Sequence, residues 1–190
     1  MLHHIPLLEL PILALMILVK ALRLRRKGVR TFVIGSRNKN EWFLLAVLLF
    51  FLYVLLSGFW DLPFPSVLQK SFWEYGFLNW LAATICTGSL IWLGISLNVF
   101  GNSFRMGIDQ ESSGKLITTG TFAYSRNPVF VAFISFFTGY FLAYSNAMTL
   151  TLLVSLIIMT HRQILQEEIY LKRRFGDEYN EYYRKVNRYL

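Results

Sequence analysis

The side chains best suited to chemistry gather in two stretches of this 190-residue chain: SSGKLITTGTFAYSRNPVF, from Ser112 to Phe130, and the downstream pair Glu167 and Glu168. Arg126 offers a planar guanidinium able to hold a carboxylate through two parallel hydrogen bonds. Gly114 and Gly120 permit tight turns or a close approach of backbone to a ligand. Pro128, directly after Arg126 and Asn127, suits the first position of a helix, whose leading N–H groups favour an anion. Glu167 or Glu168 would balance a cationic centre, or bind ribose hydroxyls or an amine. Together the set suits a zwitterionic ligand. Each part also has a plainer reading. Arg126 can be an anchor at a membrane surface, the two glutamates can pair with Lys172 and Arg173 along one helix, and Phe122, Tyr124 and Phe130 can be packing or interfacial aromatics.

Other chemistries find little support. His3 and His4 are terminal and His161 is remote from both, so metal-ligand spacing is missing and no metal site is expected. The single cysteine, Cys86, excludes an internal disulfide and reads as a small buried hydrophobe. Glu9 is the one clear ionisable residue inside an apolar run; one turn from the outer end of its helix, it is expected to reach the headgroups. A net charge of +8 and a pI near 9.7 would suit nucleic acid. The basic residues cluster beside apolar spans, however, so the expected partners are membrane lipids, not nucleic acid.

The elements that must position these residues are set by hydropathy. With 55% hydrophobic and 16% charged residues, and a mean hydropathy of +0.44, the chain is too apolar for an ordinary soluble domain. It predicts an all-α, polytopic integral membrane protein of about five transmembrane helices plus C-terminal cytoplasmic helices, forming one domain over residues 1–190. The expected spans are 5–22, 42–60, 76–100, 128–144 and 147–162. Residues 1–100 supply the first three, and 101–190 supply a polar, Gly-rich loop, a helical hairpin and the tail.

The first run is read as a retained helix, because its charges follow the apolar core instead of preceding it. Segment 23–40, with Lys20, carries eight Lys or Arg residues and no acid, which makes it cytoplasmic and puts the N-terminus outside, with the catalytic face and C-terminus cytoplasmic. Small residues in the third span (Gly88, Ser89, Gly94 and Ser96) allow close helix contact or a dimer contact, and leave the oligomeric state open. In the tail, Ile164, Leu165, Ile169, Leu171, Phe175, Tyr179 and Tyr182 predict an apolar stripe on a helix. Gly176 reads as a stop, and DEYNEYYRKV as a short second helix with acids first and bases last.

The residues from Gly114 to Leu190 resemble the isoprenylcysteine carboxyl methyltransferase and phospholipid methyltransferase superfamily. Its members show G-x-K-L-x-x-x-G-x-Y-x-x-x-R-H-P-x-Y-x-G before a helical hairpin, then E-E, then F-G-x-x-Y-x-x-Y. Here the chain reads GKLITTGTFAYSRNPVFVAF, then Glu167 and Glu168, then FGDEYNEY. The resemblance implies S-adenosylmethionine as cofactor, with Lys115, Leu116, Gly120, Tyr124, Arg126, Asn127, Pro128, Glu167 and Glu168 as its shell and Arg126 and Glu168 as the catalytic pair. It also implies a lipophilic methyl acceptor, such as a prenylated cysteine carboxylate or a phospholipid amine. Phe122 and Phe130 stand where tyrosines are usual, Asn127 where histidine is commoner, and Ala132 where glycine is usual. Asn127 cannot take a proton as histidine does, so it is assigned to binding. These departures also keep a non-catalytic scaffold or a transporter-like subunit as the alternative. A transporter should show polar or broken helices near the bilayer midplane, and these spans are apolar at their centres.

Overall fold

The computed structural model describes residues 5–26, 53, 70–101 and 116–190, and every element longer than a single turn among them is an α-helix. We number them α1 (Ile5–Arg26), α2 (Gly76–Phe100), α3 (Pro128–Ala143) and α4 (Ala147–Lys185), with a 3-10 turn at Gly120–Ala123 ahead of α3. Three of these, α1, α2 and α4, are long and apolar enough to cross a membrane; α3, at 16 residues, is shorter. The expected span 42–60, apart from Tyr53, and Gly114 and Lys115 lie outside the described residues.

Two pairs of contacts define how α1, α2 and α3 run. Glu9 meets Thr87, and Lys20 Nζ donates to the Leu97 carbonyl at 2.7 Å, so α1 and α2 are parallel. Trp92 Nε1 donates to the Pro128 carbonyl at 3.0 Å and Cys86 Sγ lies 3.4 Å from the Phe136 carbonyl, so α2 and α3 are antiparallel. Pro128 thus starts α3 opposite Trp92, eight residues and roughly 12 Å short of the end of α2 at 1.5 Å per residue. The loop that precedes α3 is recessed beside the last turns of α2 by that amount.

The core joins α1, α2 and α3 through Leu10, Leu13, Leu93, Leu97 and Phe136, with Leu153 of α4 completing it. The helices α2 and α3 approach closely at Gly139: a Cβ placed there would lie 2.7 Å from Cys86 Sγ and 3.0 Å from the Ala82 carbonyl oxygen. Close approach through small residues holds helices together where lipid supplies no hydrophobic drive. At the opposite end from the loop, Trp73 and Phe72 close the bundle. Phe72 N–H donates to Ser145 O at 2.6 Å, and Trp73 Nε1 to the Leu142 carbonyl at 3.3 Å. Asn146 and Thr149 form a reciprocal capping box that starts α4.

Three expectations change. The fifth expected span and the helical tail are one continuous element: α4 runs past residue 162 to Lys185, broken only at Gly176, where φ is 52°. The apolar stripe of the tail is narrower than expected. Ile164, Tyr179 and Tyr182 are buried, but Leu165 and Ile169 are exposed, because the inward face steps from Ile164 to Glu168 by one helical turn. Glu9 does not stand at an outer rim. Because α1 begins beside the middle of α2, its carboxyl is buried against Thr87 Oγ1 at 2.5 Å, about eleven residues and some 16 Å along α2 from Gly76.

The Gly139 contact generates a test. Gly139→Ala should destabilise the detergent-solubilised protein by about 1–3 kcal/mol through overpacking. Gly88→Ala, where an added Cβ meets nothing within 4 Å, should be neutral or stabilise by about 0.5–1 kcal/mol. Thermal unfolding of both variants measures the difference; equal midpoints would remove Gly139 as the determinant of the α2–α3 contact.

Candidate functional site

The recessed loop is shaped by Gly120. Its φ of 63° is a conformation glycine adopts without steric cost, and a Cβ there would lie 2.7 Å from Val99 Cγ2, so the turn is packed hard against the end of α2. Phe122 packs beneath, edge-on to Phe100 at 5.0 Å between ring centroids. Tyr124 points out and is 70% exposed. Leu116 is half-buried at the start of the described loop, and Pro128 is fully buried at the first position of α3.

Arg126 leaves this loop toward α4. Its Nη2 meets Glu168 Oε1 at 2.8 Å and its Nε the same oxygen at 3.3 Å, while Nη1 donates to the carbonyls of Tyr183 at 2.9 Å and Val186 at 2.7 Å. The guanidinium also lies over the Tyr183 ring, 3.9 Å from its centroid. Glu168 accepts a second arginine: Arg188 Nε at 3.0 Å on Oε1 and Nη2 at 2.8 Å on Oε2, a bidentate fork. Burial pushes the Glu168 carboxyl up, but hydrogen bonds from Arg188 and Arg126 outweigh it and hold the group below its ordinary value of 4.5.

Beyond Lys185 the chain leaves the helix and folds back over the loop. Arg126 N–H donates to the Asn187 carbonyl at 2.9 Å, and Asn127 Nδ2 to the Arg188 carbonyl at 3.0 Å. The Asn127 N–H is taken by Ser125 Oγ at 3.0 Å, so the turn leading into α3 is satisfied from within the chain. Tyr182 donates to the Phe122 carbonyl at 2.7 Å, and Tyr189 meets His161 Nδ1 at 2.8 Å with the rings stacked. The sequence-predicted residues Arg126, Asn127, Pro128 and Glu168 are thus brought together.

Glu167 is on the neighbouring face of α4, where Gln163 Nε2 donates to its Oε1 at 2.9 Å. Burial raises its carboxyl to about 7, against the opposing effect of that hydrogen bond. The glutamates do not pair with Lys172 or Arg173. Sequence reasoning missed Arg188, Ser125, Tyr183 and the His161–Tyr189 contact; the last five residues carry no spacing motif, and their only signal is a pair of polar residues, Asn187 and Arg188, after the last helical turn. Two buried hydroxyls in this region, Thr121 Oγ1 and Tyr179 OH, have no hydrogen-bond partner. Among the described residues no three His, Cys, Asp or Glu side chains group as metal ligands would.

These features define an integral membrane protein of packed apolar helices with a half-buried polar cluster of net positive charge at one end. A model of the phospholipid methyltransferase family matches residues 74–178, and the chain belongs to that family. It is 31% identical over 160 residues to the protein-S-isoprenylcysteine O-methyltransferase of Schizosaccharomyces pombe, a match covering 78% of this chain and 66% of that protein, so the chain spans just under two thirds of that relative's length.

The carboxylate at the centre of this site sets its acid stability. Removing it leaves two arginines facing each other in a largely buried site, so Glu168→Ala should cost about 3–5 kcal/mol at pH 7. A carboxyl depressed in the folded state stabilises fully above its unfolded value of 4.5 and loses that contribution as pH falls through its folded value. Unfolding midpoints of wild type and Glu168→Ala should therefore converge as the pH is lowered below 4.5; a constant gap would contradict the ion-pair reading.

Proposed function

We propose that the protein is a membrane methyltransferase that uses S-adenosylmethionine and methylates a lipophilic acceptor, with its donor site at the Arg126–Glu168 end of the bundle and that end facing the cytoplasm. The observation that carries this reading is the Glu168 carboxylate shared by Arg126 and Arg188, held against the family's loop and glutamate motifs. The residues present fit such a donor. The two guanidiniums and one carboxylate leave one positive charge for an anionic end. Glu167 is available to a cationic centre or to ribose hydroxyls, and the buried hydroxyls of Thr121 and Tyr179 have hydrogen-bonding capacity that nothing in the chain uses. The donor, when bound, supplies an already electrophilic methyl group.

The chain's own residues are then left with positioning. Leu116, Gly120 and Tyr124 shape the loop wall, and Asn127 and Pro128 fix its junction with α3. Arg126 and Glu168 fasten loop, helix and C-terminal segment into one frame, which suits in-line alignment of a nucleophile. Lys115 belongs to the same sequence motif. Neither the loop nor α4 offers a histidine base beside Arg126, so the acceptor would arrive with its nucleophilic lone pair available, as a carboxylate or an unprotonated amine does. The recess beside α2 would let a lipid acceptor enter from the bilayer side while the polar donor enters from water.

Donor binding should depend on pH through Glu167. With a carboxyl near 7, its anion forms as pH rises through neutrality, so wild-type affinity for S-adenosylmethionine should rise between about pH 6 and pH 8. Glu167→Gln should abolish that rise without preventing membrane insertion. Titration calorimetry of the detergent-purified protein measures both. No donor binding by folded wild type at any pH would refute the methyltransferase reading and favour a scaffold that keeps the fold.

A further inference from the structure

We propose that Arg188, in the C-terminal segment beyond α4, is the residue that binds the carboxylate end of the methyl donor, with Glu168 as the group that positions it. This rests on the donor-binding reading above and assigns the side chain that recognises the donor's amino-acid end. Arg188 lies outside the residues matched by the family model, 74–178.

The two arginines on Glu168 are not equivalent. Arg126 is 7% exposed at its side chain, and four of its five N–H donors are engaged within the chain: Nε and Nη2 on Glu168, Nη1 on two carbonyls. Its face is covered by Tyr183. Arg188 is 29% exposed and uses only Nε and Nη2, both on Glu168, so its Nη1 points away from the fork with both donors free. Arg126 is the strut and Arg188 the accessible cation.

Charge and rigidity point the same way. Among the described residues, Glu168 is the only carboxylate either arginine meets, so a single negative charge faces two guanidiniums and an anion is the ligand that neutralises the remainder. Arg188 is held at both ends: its carbonyl accepts from Asn127 Nδ2 and, at 3.4 Å, from Ser125 Oγ, while its fork is clamped on Glu168. A guanidinium fixed in this way loses little freedom on meeting a carboxylate. Beside it, Tyr179 is 1% exposed and its hydroxyl has no partner; its ring packs on Tyr183, 6.2 Å between centroids, behind the Arg126 stack.

The test compares two ligands that differ only in that end. S-adenosylhomocysteine carries the amino-acid carboxylate, whereas methylthioadenosine keeps the adenosine and thioether and lacks it. Calorimetric titration of full-length wild type, Arg188→Gln and Arg188→Lys should show Arg188→Gln weakening S-adenosylhomocysteine by about tenfold or more, as expected for loss of a charge-assisted contact. Methylthioadenosine affinity should change less than about twofold, and Arg188→Lys should restore part of the discrimination. Equal losses for both ligands would mean that Arg188 only holds the segment down, and no loss for either would remove it from the site; both overturn the assignment. Wild type that binds neither ligand would overturn the donor-binding reading together with this inference, whereas wild type that binds both with variants behaving alike would overturn this inference alone.

Discussion

One carboxylate shared by two arginines holds the working end of this protein together. Glu168 sits on a helix that begins at the far end of the bundle, Arg126 on the loop before α3, and Arg188 on the segment that follows the last helical turn. No two of these lie near one another in sequence. A buried ion cluster is favourable only when every member is satisfied, so the arrangement is all-or-none: the loop, α4 and the C-terminal segment are fastened together or none of them is. The hydrogen bonds from the Arg126 N–H to the Asn187 carbonyl and from Asn127 Nδ2 to the Arg188 carbonyl become possible once the charges have met.

The apolar part of the molecule sets where that knot can form. Gly139 lets α3 lie against Cys86 and Ala82, and Trp92 anchors the first residue of α3 short of the end of α2. The loop is then obliged to turn at Gly120 against Val99, which aims Arg126 across toward α4 instead of into water. Position along α2 therefore decides chemistry at the end: moving the start of α3 by one turn would lift Arg126 about 5.4 Å out of reach of Glu168.

Much of this was legible from residue order, and the reasons for the rest are physical. Apolar run lengths placed α2 at Gly76–Phe100 and the start of α3 at Pro128, since a helix that crosses lipid needs an unbroken apolar stretch and proline marks a first turn. The break at Gly176 was visible because glycine tolerates the positive φ a break demands. The continuation of α4 past residue 162 was not. Charge there signals departure from lipid and says nothing of whether the helix stays unbroken, so the join between the span and the helical tail had no marker in the sequence. Glu9 was misplaced because depth depends on how far one helix slides along another, which no single helix encodes. Arg126 and Glu168 stood out through their motifs, whereas Arg188 did not, because its role arises from a chain reversal that brings the last residues back onto a loop some sixty positions earlier.

The central claim is that Glu168 couples the loop and the C-terminal segment into one cooperative unit. Amide hydrogen exchange on the detergent-purified full chain, wild type against Glu168→Gln, tests it most directly, because exchange reports local opening segment by segment. The account predicts that protection falls together at 121–127 and at 186–190 while the interiors of α2 and α3 keep theirs. Loss confined to α4 around residue 168, with the loop and the C-terminal segment still protected, would contradict it.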